Sequence, residues 1–262
     1  MVKVSIVTIC YNAEATIREC LASVGRQDYG SIEYIVIDGG STDNTLDILS
    51  EYNDVIDVLV SEPDSGIYDA LNKGVSKATG DIVGFMHSDD AYSNNGVVSL
   101  IVSAFDVYGV SGVYGDLIYI SPNKNGQVFR YWKSCPVENV LIKYAWMPPH
   151  PTLYLRRSVY DEIGGFDVSF KISGDYDFTV RLFKCLSYTF YYISHPLVSM
   201  KVGGISNRSP RFLLLKSCED FKVLRSNGFS WIVSFMLIVT KNLSKLKQFF
   251  FKADLLQKSG KL

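Results

Sequence analysis

The 262-residue chain is 47% hydrophobic and carries 26 basic against 27 acidic side chains, for a formal charge of -1. That apolar content suffices for a sizeable core and excludes a disordered polymer, while the near-neutral balance supplies no long-range field to gather nucleic acid. Five cysteines, at 10, 20, 135, 185 and 218, are odd in number and widely spaced, so neither a disulfide framework nor a zinc site is indicated and reduced, cytoplasmic thiols are expected.

In chain order, MVKVSIVTICYN meets Tyr11 and Asn12 too early for a signal peptide and reads as a strand. VSIVTI (4–9), EYIVID (33–38), VIDVLVSE (55–62) and DIVGFM (81–86) are short β-branched runs, with helices predicted over 13–24, 44–51 and 67–78 between them. That alternation predicts an α/β fold with a mostly parallel, Rossmann-like sheet flanked by helices. Asn12, Asp38 and Asp89 each follow a predicted strand, at the edge where open α/β sheets bind ligands. From about Gly112 the strands become longer and aromatic (VYGDLIYI, QVFRYW), followed by the proline-rich loop MPPHPTLYLRR and a helix from Asp175. Three segments are expected: 1–110, 111–209 and a C-terminal extension over 210–262.

In the extension, FSWIVSFMLIVT (229–240) falls short of the roughly 18 residues of a membrane-spanning helix. Lys241, Lys245, Lys247, Lys252, Lys258 and Lys261 then stand against only Asp254. The combination predicts a helix lying in a bilayer interface with a basic tail, and hence a protein at the inner face of the cell membrane. The alternative is a buried core helix with a solvated tail.

Adjacent strand-end carboxylates at Asp89 and Asp90 can approach one cation, and their hard oxygens suit Mg²⁺ or Mn²⁺ sharing a substrate phosphate. Such a pair also serves as a helix cap or solvated turn. Asp38, in VIDGGSTDNT, is a candidate ligand residue or a turn former. His87 is a candidate transition-metal ligand or hydrogen-bonded scaffolding. His150, between prolines, is a candidate to orient a diphosphate or an acceptor, or a packed ring. Tyr114, Tyr119, Trp132 and Trp146 are candidate sugar-stacking rings, with core packing as the alternative.

Taken together, VSIVTICYNAEATIRECLASV, VIDGGSTDNT, ALNKGVSKATGDIVGFMHSDD, GGFD and SGDYDFTVRL, in that order over about residues 2–200, resemble the family 2 glycosyltransferases, inverting enzymes of the GT-A fold. The resemblance implies transfer of a sugar from a nucleotide-diphosphate donor to a saccharide or lipid-linked acceptor, as in bacterial surface-polysaccharide synthesis. It implies a base and ribose near Thr8, Tyr11 and Asp38, with Asp38 accepting the base N–H. It makes Asp90 the first ligand of a Mn²⁺ or Mg²⁺ ion, with Asp89 its helper. Many relatives place Arg before Asn72, where this chain has Leu71, so Lys73 is the substitute cation for the diphosphate, alongside Asn72. The catalytic base falls on Asp175, with Asp177 second; a carboxylate at a helix N-terminus is held ionised by the dipole. Arg181, one turn from Asp177, is expected to pair with it. The turn GGFD is expected to deliver Phe166 to the core. Two rival functions are a binding subunit without turnover and a nucleotidyltransferase; TICYNAEAT lacks the glycine-rich basic loop expected of the latter.

Overall fold

The computed structural model describes residues 1–121, 128–139, 145–201 and 210–250. Its first half follows the predicted alternation: β1 (Val4–Cys10), α1 (Ile17–Gly25), β2 (Ile32–Asp38), α2 (Thr45–Ser50), β3 (Val58–Ser61), α3 (Ile67–Lys77) and β4 (Ile82–Phe85). β1 lies between β2 and β4, with β3 outside β2, and all these pairs are parallel. Every residue of β1 is buried, as in a central strand covered on both faces. Its Val4 and Ile6 face Ile17, Leu21 and Val24 of α1, whereas Val7 and Ile9 face Tyr68 and Leu71 of α3. Gly74 lets α3 close on the sheet, since a Cβ there would sit 2.2 Å from Val7 Cγ1.

Two boundaries differ from the periodicity. α1 starts at Ile17 rather than 13 because Ala13 O accepts the Thr16 and Ile17 N–H groups and 13–16 are spent on a turn. β3 starts at Val58 because Val55 and Ile56 close the turn after α2, donating to Tyr52 O.

The aromatic half extends the same sheet. β5 (Asp90–Tyr92), α4 (Val97–Tyr108), β6 (Gly112–Ile120), β7 (Val128–Trp132), β8 (Tyr154–Arg156), α5 (Arg157–Ile163), α6 (Gly174–Lys184) and β9 (Phe190–Lys201) give a strand order β3-β2-β1-β4-β8-β6-β9-β5, with β7 on β6. Here the pairing is mixed: β8 is antiparallel to β4 and β6, β9 parallel to β6 and antiparallel to β5. The sheet is therefore uniformly parallel only across β3-β2-β1-β4. Strands as short as β5 and β8 carry no readable period, which is why the sequence does not reveal them.

α7 (Pro210–Ser226) and α8 (Trp231–Phe250) pack successively on α6. Among the described residues no helix is long and apolar enough to cross a membrane. α8 is patterned inside out: it buries Ser234, Leu237 and Lys241, while Trp231, Ile232, Phe235, Met236, Val239 and Leu243 are exposed. Over the described residues it is thus not a core helix, and Lys241 is enclosed in an ion pair with Asp220; the side chains of Lys245 and Lys247, and residues 251–262 with the other tail lysines, lie outside the described residues.

Where β4 meets β8, Gly84 lies under Tyr154, whose Cε1 would be 2.0 Å from an added Cβ, and the Tyr154 hydroxyl is tied to that of Tyr92. Gly84→Ala is expected to cost about 1–3 kcal/mol by overpacking, lowering Tm by roughly 3–10 °C in thermal unfolding. An unchanged Tm would show that the ring yields freely.

Candidate active site

Three loops meet at the carboxyl edge of β1, β2 and β3. Asn12 takes the left-handed conformation (φ 48°), donating its N–H to Ser41 Oγ at 2.8 Å while its Oδ1 accepts the Thr42 N–H at 2.8 Å. Asp38 is fully buried. Its Oδ2 accepts from Gly40 N (3.1 Å), Ser41 N (3.0 Å) and Ser61 Oγ (2.7 Å), and its Oδ1 from Ser41 Oγ and, at 3.7 Å, Cys10 Sγ. The carboxylate assigned to the base N–H is spent on holding the loop. Tyr11, 63% exposed, leaves its ring open beside this loop.

The second part of the site is built on Phe85, the last residue of β4. His150 stacks on it with centroids 5.5 Å apart, Phe166 meets it edge-on at 5.6 Å, and His87 lies 5.9 Å from His150. GGFD thus places Phe166 in the core, 4% exposed, stacked on Phe178 at 4.7 Å. Both His150 ring nitrogens are buried and make no hydrogen bond among the described residues. Burial pushes His150 down to about 4, against the opposing charge of Asp175; burial also lowers His87, opposed by Asp89 and Asp175. The rings therefore stay neutral at physiological pH.

Asp89 is half-buried in the turn before β5 and acts electrostatically on His87. Asp90 is different. It is 1% exposed, lies within the field felt by Cys20 and Tyr119, and both its oxygens lack hydrogen-bond partners among the described residues. Burial, reinforced by Asp89, raises it well above the usual carboxylate range. Of the two carboxylates, Asp89 is thus the more exposed and Asp90 the enclosed one.

Asp175 sits in the first turn of α6. Its Oδ1 accepts the Tyr176 N–H at 2.8 Å and lies 3.5 Å from the Tyr68 hydroxyl, a long contact, while Oδ2 accepts no hydrogen bond among the described residues. Burial, and then the charge of Asp175, raise Tyr68, which keeps its proton. Asp175, His87, His150 and Tyr68 thus come together from four separate segments.

Four other candidates are engaged elsewhere. Thr8 is fully buried, its hydroxyl 2.9 Å from that of Tyr34, because even-numbered β1 residues face α1. Asn72 pins the GGFD turn, donating to Phe166 O and accepting from Phe166 N, both at 2.8 Å. Lys73 lies 2.9 Å from Glu62 and 3.6 Å from Asp69 and donates to Pro63 O at 3.0 Å, so its charge is met within its own helix and the loop before it. Asp177 pairs with Arg181 at 2.8 Å and accepts from Asn227 at 2.8 Å, on the far side of α6 from Asp175. The groove lined by Asn72, Asp177, Arg181 and Asn227 includes none of Asp89, His150 or Asp175. Of the aromatic candidates, Tyr114 is core, Trp146 stacks on Phe183, and Tyr119 and Trp132 flank Arg130.

Sequence reading missed the clamp behind Asp175. Glu219 of α7 accepts the N–H groups of Lys171 (3.2 Å), Ile172 (2.8 Å) and Ser173 (3.0 Å), and Asp220 accepts the Ser173 hydroxyl at 2.8 Å. Lys241 of α8 reaches Asp220 at 2.8 Å and lies 3.1 Å over the Tyr176 ring. Glu219 and Asp220 lie over forty residues from the segment they hold, and only their being the two acidic residues of α7 marks them.

No group of three or more His, Cys, Asp or Glu side chains among the described residues is placed to hold a metal. What is present, the half-buried Asp89 and the hydrogen-bond-free oxygens of Asp90, fits a hard divalent ion that draws its remaining ligands from water and phosphate.

The neutral His150 has a thermodynamic consequence. Its pKa is lower folded (about 4) than unfolded, so the unfolded chain takes up the proton first as pH falls, and stability is lost between about pH 6.5 and 4. His150→Gln is expected to remove up to about 3 kcal/mol of that acid sensitivity, read as a flatter Tm-against-pH curve over this window.

Residues 5–172 match the family profile described as glycosyl transferase family 2. Over 208 residues the chain is 30% identical to a PGL/p-HBAD biosynthesis glycosyltransferase of Mycobacterium bovis, spanning 78% of each chain. It is 35% identical over 184 residues, 68% of each, to an uncharacterized glycosyltransferase of Mycobacterium tuberculosis. In structure it is similar to S. aureus TarS 1–349 in complex with UDP-GlcNAc (TM-score 0.69, 19% identity, 98% of this chain and 77% of that one). It is also similar to the mannosyltransferase PcManGT of Pyrobaculum calidifontis in complex with GDP-Man and Mn²⁺ (TM-score 0.64, 19% identity, 92% and 69%). With its GT-A-type sheet, the chain is a glycosyltransferase and belongs to glycosyl transferase family 2.

Proposed function

We propose that the enzyme is an inverting transferase that moves one sugar from a nucleotide-diphosphate donor to a saccharide hydroxyl, with Asp175 as the base. The observation that carries this reading is that Asp175, whose Oδ2 accepts no hydrogen bond among the described residues, and Asp89 both act on the same buried ring, His87. Direct displacement needs a carboxylate on the acceptor side to take the hydroxyl proton as the oxygen attacks the anomeric carbon. Asp175 suits this role through its open oxygen and a backbone fixed in the first turn of α6. The complexes of similar structures with UDP-GlcNAc and GDP-Man support a nucleotide-sugar donor, and that with Mn²⁺ supports a divalent ion. A metal held by Asp89, with Asp90 behind it, would supply positive charge to the departing diphosphate. Asp177, closed by Arg181 and Asn227, is no longer a candidate for the base in this reading.

Asp175→Asn is expected to keep donor affinity within about twofold while lowering turnover on the order of 10²–10⁴-fold. Asp89→Ala is expected to abolish the Mn²⁺ dependence of donor binding. Calorimetric binding beside a transfer assay separates the two effects, and product NMR should show the anomeric configuration inverted. Undiminished turnover of Asp175→Asn would remove it as the base.

The exposed apolar stripe of α8 favours a lipid-linked acceptor, because Trp231, Ile232, Phe235 and Met236 face outward from a helix whose sequence continues into lysines. Co-sedimentation with vesicles containing anionic lipid is expected, and should be lost in Trp231→Ser/Phe235→Ser at unchanged Tm. Equal sedimentation of both proteins would discard the lipid contact.

A further inference from the structure

α8 meets the protein and its surroundings on opposite faces. Among its described residues Ser234, Leu237 and Lys241 recur at helical spacing and are buried, with Ile238 half-buried beside them, whereas Trp231, Ile232, Phe235, Met236 and Val239 point the other way and are exposed. Leu237 shares a core cluster with Val223 and Leu224 of α7. The other grip is ionic: Lys241 Nζ lies 2.8 Å from Asp220 Oδ2 and 3.1 Å over the centre of the Tyr176 ring. Asp220 uses its second oxygen, Oδ1, to accept the hydroxyl of Ser173, the residue that precedes α6, at 2.8 Å. Glu219 beside it accepts the N–H groups of Lys171, Ile172 and Ser173. One carboxylate therefore joins α8 to the segment that sets Asp175, two residues on. Burial opposes charge on Asp220, yet Lys241 and then Lys216 hold it below the usual carboxylate range.

A strip this narrow, with an ion pair whose desolvation offsets much of its attraction, gives α8 a modest hold of its own. Burying the outer stripe in lipid adds to that hold without competing with it, because lipid and protein grip opposite faces. Both contacts require α8 to be helical, since only a helix gathers 231, 232, 235 and 236 on one side while delivering Lys241 on the other. Resting on the lipid contact proposed above, we infer that bilayer docking of α8 and ordering of the Asp175 segment are one linked equilibrium, with Lys241 and Asp220 as the positioning residues that connect them. A ligand that binds only the ordered helix raises the population of every contact that helix makes. The base is thereby set most firmly where a lipid-linked acceptor lies. Linkage also runs in reverse: loosening the pair from the α7 side weakens lipid binding by a helix that the substitution does not touch.

The test is hydrogen exchange of the full chain with and without vesicles of phosphatidylglycerol and phosphatidylcholine, beside a vesicle-binding titration. At accessible lipid about tenfold above its Kd, the amides of 171–173 and 176 are expected to exchange up to about tenfold more slowly, while those of β1 stay unchanged. Trp231→Ser/Phe235→Ser should show no such slowing. Asp220→Asn keeps Oδ1 for Ser173 and loses the partner of Lys241; it should exchange about tenfold or more faster over the same amides and bind vesicles more weakly. Lys241→Arg, which retains the cation, should restore wild-type behaviour on both counts. The wild-type comparison with and without vesicles stands whether or not Asp220→Asn folds. Bound vesicles that leave 171–176 unchanged, slowing no greater there than in β1, or full vesicle affinity in Asp220→Asn overturns the inference and leaves the lipid contact intact. If wild type binds no vesicles, the lipid contact itself fails and takes this inference with it.

Discussion

The buried carboxylate of Asp38 is the tie on which the ligand edge depends. One charged group collects donors from the backbone after β2, the hydroxyls of Ser41 and Ser61, and more distantly the Cys10 thiol. The ends of three parallel strands are thereby fixed to one another. A buried carboxylate without such donors would cost several kcal/mol, and the chain meets that cost by bending the GGS segment around it. The same bend leaves Gly39 facing Tyr11 and opens the space that Asp64 enters.

A comparable division runs through the catalytic half. In SGDYDFTVRL two aspartates lie two residues apart, so on a helix they point about 200° from one another. One face is turned to the Phe85, His150 and Phe166 floor, and the other to Arg181 and Asn227. The segment before α6 is held by Glu219 and Asp220, and through Lys241 that support extends into α8. The helix that shows its apolar side to the outside is also the one whose buried Lys241 braces the segment leading to Asp175.

Much of this was legible in the chain. Val4 to Phe85 carries β-branched runs at βαβ spacing, and such strands, buried on both faces, can hardly form anything but a central parallel sheet. Strand ends then locate the ligand edge, and with it Tyr11, Asp38, Asp89 and the HSDD turn. Arg181 could be paired with Asp177 from helical spacing alone. These are local or periodic properties, and a sequence records them directly.

Which carboxylate does what is a different kind of fact. Thr8 and Tyr11, three residues apart, end in the core and in solvent; Asn72 and Lys73 are taken up by Phe166 and Glu62. Asp89 and Asp90, neighbours in the chain, differ in burial, and burial raises Asp90 well above the usual carboxylate range. Each outcome depends on a partner brought from tens of residues away, and hydrogen-bond saturation and desolvation are properties of that assembled neighbourhood. The sequence by itself determined the parallel first half of the sheet and the family of chemistry, because these follow from periodicity and motif. Only the tertiary structure decided which acids are left free to act, because a carboxylate is available only where no nearby donor has already claimed it.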